Sequence, residues 1–170
     1  FYRDRKLAVV GGGNSALQEA LFLTRYSSHI ELLVRSEIKA SDVLQHDLQK
    51  YIDEGKVTVH LNTTTEEIVA TDGRVSSVKV VEQGVPNEIV IDGIFVFVGL
   101  EPNTGFLEDT GVELDEVGLV KTNQHLETNL SGVFASGDVR SGATMQIASA
   151  VGEGAAAALS IREYIDEFDK

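Results

Sequence analysis

The chain has 170 residues, with 27 acidic against 14 basic side chains and a formal charge of −13. An anion of this size repels a phosphate backbone, which argues against nucleic acid as a general partner and leaves room for a small anionic cofactor in a locally basic pocket. Cysteine is absent, so these residues carry no disulfide, thiolate metal site, redox dithiol or cysteine nucleophile.

No apolar run approaches the length of a membrane span, and no signal peptide is read ahead of the first strand, so a cytoplasmic protein without a membrane partner is expected. The four histidines, at positions 29, 46, 60 and 125, show no ligand spacing.

After a polar, basic entry from Phe1 to Lys6, the apolar run Leu7–Val10 predicts a short buried strand. It runs into Gly11, Gly12 and Gly13, and Ala16, Leu17, Ala20, Leu21, Leu23 and Thr24 then recur with helical spacing. A strand, a glycine turn and a helix with the spacing Gly11-x-Gly13-x-x-Ala16 fit a dinucleotide-binding fingerprint. Gly11 allows the sharp turn, Gly13 admits a pyrophosphate without presenting a Cβ, and Ala16 keeps helix and strand close. Asn14 is expected to cap the helix, whose free N–H groups face the phosphates.

His29–Val34 predicts the second strand. Its end lies where this fold reads the cofactor's ribose, and an acidic residue there selects NAD. The chain instead has Arg35 and Ser36, with Lys39 beyond. These favour a 2′-phosphate through charge-assisted and hydroxyl hydrogen bonds, and hence NADP over NAD. Asp42–Glu54 predicts an amphipathic helix stopped by Gly55, and Val57–His60 a third strand. The alternation predicts a parallel sheet with crossover helices.

Thr63–Thr71, Val75–Glu82 and Asn87–Ile91 then read as an antiparallel excursion with turns at Asp72-Gly73 and Gly84. Gly93–Val98 reads as a strand buried on both faces, and Gly99-Leu-Glu-Pro-Asn-Thr-Gly105 breaks it. The domain boundary is placed there, giving 1–98 and 99–170. In the second part, a helix is expected over Thr104–Asp109, weak strands near Val112–Leu114 and Leu119–Lys121, and an apolar strand from Gly132 to the Gly137-Asp138 pair. A long helix, rich in small residues, is expected over Thr144–Phe168.

Four stretches, in order, resemble the thioredoxin reductase-like flavoproteins, a class of pyridine nucleotide–disulfide oxidoreductases. Val9-Val-Gly-Gly-Gly-Asn-Ser-Ala16 is similar to the start of their NADPH domain, and Gly99-Leu-Glu-Pro-Asn-Thr104 to their second interdomain hinge. Gly132-Val-Phe-Ala-Ser-Gly-Asp-Val139 resembles the strand whose aspartate holds the ribityl chain of FAD. Met145-Gln146 with Ala150-x-Gly152-Glu-Gly154 resembles the helix facing the flavin.

The resemblance implies an α/β fold: a Rossmann-like three-layer NAD(P)H-binding domain over 1–98 and a C-terminal segment of an FAD-binding domain over 99–170. It places Gly11, Gly13, Asn14 and Ser15 at the NADPH pyrophosphate, Arg35 at the 2′-phosphate, Gly99 at the hinge, and Asp138, Gln146 and Ala148 beside FAD; Gly12, Ser36, Lys39 and Ile147 complete the candidate cofactor-binding residues. Two positions depart from the pattern. Val34-Arg35-Ser36 stands, one residue shorter, where the family commonly has His-Arg-Arg, and Met145 stands where a basic residue is frequent.

The family also carries a separate FAD-binding segment and a Cys-x-x-Cys ahead of its NADPH domain, and Phe1-Tyr2 resembles the residues that follow that dithiol. The expectation is therefore a C-terminal portion, inactive alone, of an enzyme that passes hydride from NADPH to FAD and electrons to a disulfide. Its partners would be NADPH, FAD and a thioredoxin-like protein or other disulfide substrate, with a homodimer among the assemblies allowed. Ferredoxin- or flavodoxin-NADP reductases, NADH-dependent peroxiredoxin reductases and a non-catalytic nucleotide-binding module remain alternatives.

Overall fold

Leu7–Val10 lies within β1 (Lys6–Val10), an inner strand of a parallel sheet in this computed structural model, which describes residues 1–168. The sheet has the order β3-β2-β1-β7, with β2 at His29–Leu33, β3 at Val57–His60 and β7 at Gly93–Val96. Strand periodicity divides its side chains between two layers. Leu7, Val9, Ile30 and Leu32 join Leu17, Ala20 and Leu23 of α1 (Asn14–Leu23) and Leu48 of α2 (Asp42–Asp53) in one core. Ala8 and Leu33 face the other way, against Val78, Val80 and Ile89 of a second sheet.

That second sheet is antiparallel, in the order β4-β5-β6, formed by Thr63–Thr71, Arg74–Glu82 and Val85–Val90. Its hairpins turn at Asp72-Gly73 and Gln83-Gly84, all four residues having positive φ, the backbone of a two-residue turn that matches strand twist. Helices, parallel sheet and antiparallel sheet form the three layers expected of an α/β nucleotide-binding fold. Leu7, Leu17, Ile30 and Leu32 are each 0% exposed, and burial of such a side chain is worth about 1.5–3 kcal/mol.

Several expectations are corrected. Asn14 does not cap α1: Gly13 occupies the cap position without a side-chain bond, and Asn14 Oδ1 accepts the Ser41 N–H at 2.8 Å. The apolar run Gly93–Val98 is not buried on both faces. Its strand ends at Val96 and lies at the sheet edge, leaving Val96 and Val98 exposed. The third excursion strand starts at Val85, two residues earlier than read, and tolerates Pro86 because it too is an edge.

Contacts divide the chain into two compact units, Phe1–Gly99 and Leu100–Lys170. In the second, the helix expected over 104–109 is a single 3₁₀ turn at Gly105–Leu107. The expected strands reduce to isolated bridges, Leu114 with Val120 and Phe134 with Glu127. The stretch ending in Gly137-Asp138 closes in a 3₁₀ turn, Gly137–Val139. The long helix α3 begins at Ile147 instead of Thr144, after Met145 with φ of 55°. Short apolar stretches separated by turn residues cannot extend a ladder, and side-chain bonds take over: Asp115 accepts from the N–H groups of Val117 and Leu119. Among the described residues, no helix is long and apolar enough to cross a membrane.

Candidate functional site

Strands β1, β2 and β7 run parallel, so their carboxyl ends open on the same side, where α/β folds bind ligands. A cleft of about 570 Å³ lies there, within the usual range for small-molecule sites. Val10–Gly13 at the end of β1, Leu33–Glu37 and Lys39 at the end of β2, Phe97–Gly99 after β7 and Thr63–Thr65 of β4 line it.

The three glycines differ in what surrounds them. Gly11 has φ of 137°, and a Cβ there would lie 2.3 Å from Phe97 O. A Cβ on Gly12 would meet Val34 Cγ1 at 2.8 Å and Glu37 O at 2.9 Å. On Gly13 a Cβ would meet nothing within 4 Å. Two glycines therefore bring the backbone of β1 against its neighbours, and the third faces open space. The Gly12 carbonyl accepts the N–H groups of Lys39 and Ala40 at 2.7 and 3.1 Å, which ties the turn to the loop after β2.

The first N–H groups of α1 have no intrahelical partner and carry the positive end of the helix dipole. Arg35 and Lys39 are exposed on the cleft wall. Neither has an ion-pair partner among the described residues. This cradle suits an anion: space at Gly13, backbone donors at the helix start and two uncommitted cations in a chain of net charge −13.

The cleft thus gathers Gly11, Gly12, Gly13, Arg35, Ser36, Lys39 and Gly99. Asn14 and Ser15 open α1 beside it without belonging to its lining. Sequence reasoning missed Thr63–Thr65, which no motif marks, and Glu37, an exposed carboxylate one residue beyond Ser36. The Thr65 hydroxyl is buried in that wall without a hydrogen-bond partner among the described residues.

The second unit holds the remaining candidates. Asp138 is exposed on the Gly137–Val139 turn, with no partner among the described residues. Gln146, Ile147 and Ala148 stand exposed at the start of the 22-residue helix α3. Glu153 of α3 joins these features by accepting the Gly137 N–H at 2.8 Å and Arg140 Nε at 3.1 Å. The Arg140 bond and the Gly137 N–H outweigh desolvation and hold the Glu153 carboxyl below its ordinary range. An exposed carboxylate with two acceptor oxygens and the free N–H donors of a helix start are available in this unit.

Among known proteins, the family described as pyridine nucleotide-disulphide oxidoreductase matches residues 2–154. The whole chain aligns with thioredoxin reductases of Coxiella burnetii at 37% identity and Bacillus subtilis at 35%, covering 55% and 54% of those proteins. Among solved structures, Lactococcus lactis thioredoxin reductase is similar with a TM-score of 0.76 and 36% identity, and the T. acidophilum enzyme with 0.74 and 34%. Each match covers 98% of this chain and 55% or 54% of the solved one. The chain therefore spans about half the length of these relatives.

Proposed function

The chain belongs to the pyridine nucleotide-disulphide oxidoreductase family, and from that premise we propose that it is the NADPH-binding portion of a thioredoxin reductase-like flavoprotein, joined to the C-terminal segment of its FAD domain. The observation that carries this reading is the glycine-lined cleft with Arg35 and Lys39 uncommitted on its wall. Gly11, Gly12 and Gly13 with the N–H groups of Asn14 and Ser15 take the pyrophosphate, Arg35, Ser36 and Lys39 the 2′-phosphate, and Gly99 closes the β7 side. Asp138 accepts from the ribityl hydroxyls of FAD, and the backbone at Gln146, Ile147 and Ala148 meets the flavin edge.

The chemistry supplied by these groups when bound is hydride transfer from nicotinamide to flavin, followed by electron transfer to a disulfide. The residues of this chain bind and orient. Residues 1–98 form the NADPH domain and 99–170 the flavin-domain segment in this reading. A thioredoxin-like disulfide protein is the substrate of the intact enzyme, which is cytoplasmic and pairs as a homodimer.

Glu37 on the same wall supports a second reading, an NADH-using reductase, because a carboxylate there accepts from a ribose 2′-hydroxyl. Titration of the purified chain with NADPH and NADH decides between them. Tighter NADPH binding supports the first reading, tighter NADH binding the second, and failure of both to bind refutes the site.

A further inference from the structure

A polar cluster that nucleotide binding does not use lies on the face of the parallel sheet that carries the antiparallel one. His60, the last residue of β3, is held at both ring nitrogens: Nε2 stands 2.7 Å from Glu31 Oε2 and Nδ1 2.9 Å from Glu82 Oε1. Glu31 is on β2 and only 6% exposed, whereas Glu82 ends β5 in the other sheet. Lys6 of β1 reaches Glu31 Oε1 at 2.7 Å. His29 Nε2 is 3.6 Å from that oxygen and 3.0 Å from Thr58 Oγ1.

A neutral imidazole has one N–H and serves one carboxylate, whereas the imidazolium donates from both nitrogens. Only the cation satisfies Glu31 and Glu82 together. The bridge sits where the chain passes from one sheet to the other. Glu82 is the register partner of Thr63, the first β4 residue on the cleft wall. The Thr63 N–H donates to Val34 O at 3.0 Å, and the Gln83 N–H to Asn62 O at 2.9 Å.

We propose that His60 is a proton-operated clasp: as the imidazolium it ties β5 to β2 and holds the Thr63–Thr65 wall on the parallel sheet, and on losing its proton it lets that wall slacken. The groups facing it are Glu31 and His29 from β2, Glu82 from β5 and Lys6 from β1. Burial opposes the charge, but the bonds to Glu31 and Glu82 outweigh it and raise the His60 pKa above its ordinary 6.5. Burial likewise works against the Glu31 charge, and Lys6 and His60 outweigh it, so its pKa falls below 4.5.

A raised histidine stabilises the fold fully below its unfolded value and stops doing so as the pH climbs through the folded one. The lowered Glu31 contributes above 4.5 and is lost as the pH falls through its folded value. The clasp is therefore strongest between 4.5 and 6.5 and weakens toward alkaline pH.

The test is an NMR titration of His60 together with amide exchange at Thr63 and Gln83, in the wild-type chain and in His60→Gln, which does not titrate. His60 should titrate above 6.5. The excess protection of the two amides over His60→Gln should fall about tenfold for each unit by which the pKa is raised, as the pH passes from about 6 to about 9. Glu82→Gln removes one partner and should lower the His60 titration, which keeps the test decisive if His60→Gln fails to fold. Titration of His60 at or below its ordinary value, or a protection difference that ignores pH, overturns the clasp. The wall's importance for the cofactor rests on the nucleotide reading above. NADP⁺ failing to bind at every pH, with the exchange profile intact, would refute that reading and support the clasp alone.

Discussion

Gly11, Gly12 and Gly13 are adjacent and chemically identical, and their surroundings give them different duties. Gly11→Ala forces a side chain into a positive-φ position 2.3 Å from Phe97 O. Backbone strain and overpacking of this kind cost about 1–3 kcal/mol each, so a clear drop in melting temperature is expected. Gly13 has φ of −91° and open space where its Cβ would be, so Gly13→Val should melt close to wild type yet bind NADPH much more weakly. Equal affinity for wild type and Gly13→Val in a titration would remove the phosphate from this turn. Arg35 is exposed and without an ion-pair partner among the described residues. Its replacement by alanine should leave stability unchanged. Loss of one charge-assisted bond to phosphate costs about 1.5–3 kcal/mol, so Arg35→Ala should weaken NADPH binding tenfold or more with little effect on NADH. Equal losses for both cofactors would point to packing instead.

The secondary-structure elements were legible where apolar periodicity was sustained. Leu7–Val10, His29–Val34 and Val57–His60 announced the parallel strands, and Asp72-Gly73 announced a hairpin because two consecutive positive-φ residues favour that pair. The second unit was less legible because its order rests on single side chains. One carboxylate, Glu153, joins α3 to the Asp138 turn through Gly137 and Arg140. Its pKa is lowered by Arg140 and by the Gly137 N–H, so its contribution is present above 4.5 and lost as the pH falls through the lowered value. The protection of the Gly137 and Arg140 amides, taken relative to their intrinsic exchange at each pH, should therefore fall in acid. Glu153→Ala should show that lower protection already at neutral pH. Unchanged protection in the variant would show that the turn is held by other contacts.

For the whole molecule, the proposed nucleotide binding is separable from the proposed redox chemistry. Nicotinamide delivers a hydride, whereas a disulfide takes up two electrons at sulfur, and this chain has no cysteine to receive them. In the proposed reading, Asp138 and the start of α3 offer one set of flavin contacts, and binding must repay its ordering cost from those alone. The purified chain should therefore show no NADPH-dependent disulfide reduction and no flavin absorbance after incubation with FAD and desalting. Stoichiometric retained flavin would mean that residues 99–170 make a more complete site than proposed.

Local and near-local patterns, read from the sequence alone, determined the α/β fold, the strand–glycine–helix unit and the basic residues after β2. Alternating and helical periodicities, glycine turns and short motifs each express an interaction within a few residues along the chain. Tertiary structure alone decided which glycine faces space, since that depends on Phe97 O and Val34 arriving from distant strands. It also decided that the apolar Gly93–Val98 run lies at a sheet edge, which strand order sets and composition does not. The His60 bridge belongs with these: Lys6, Glu31, His60 and Glu82 are ordinary polar residues scattered over three-quarters of a hundred positions. Their contacts exist only because two sheets bring one face of β1, β2 and β3 against the end of β5.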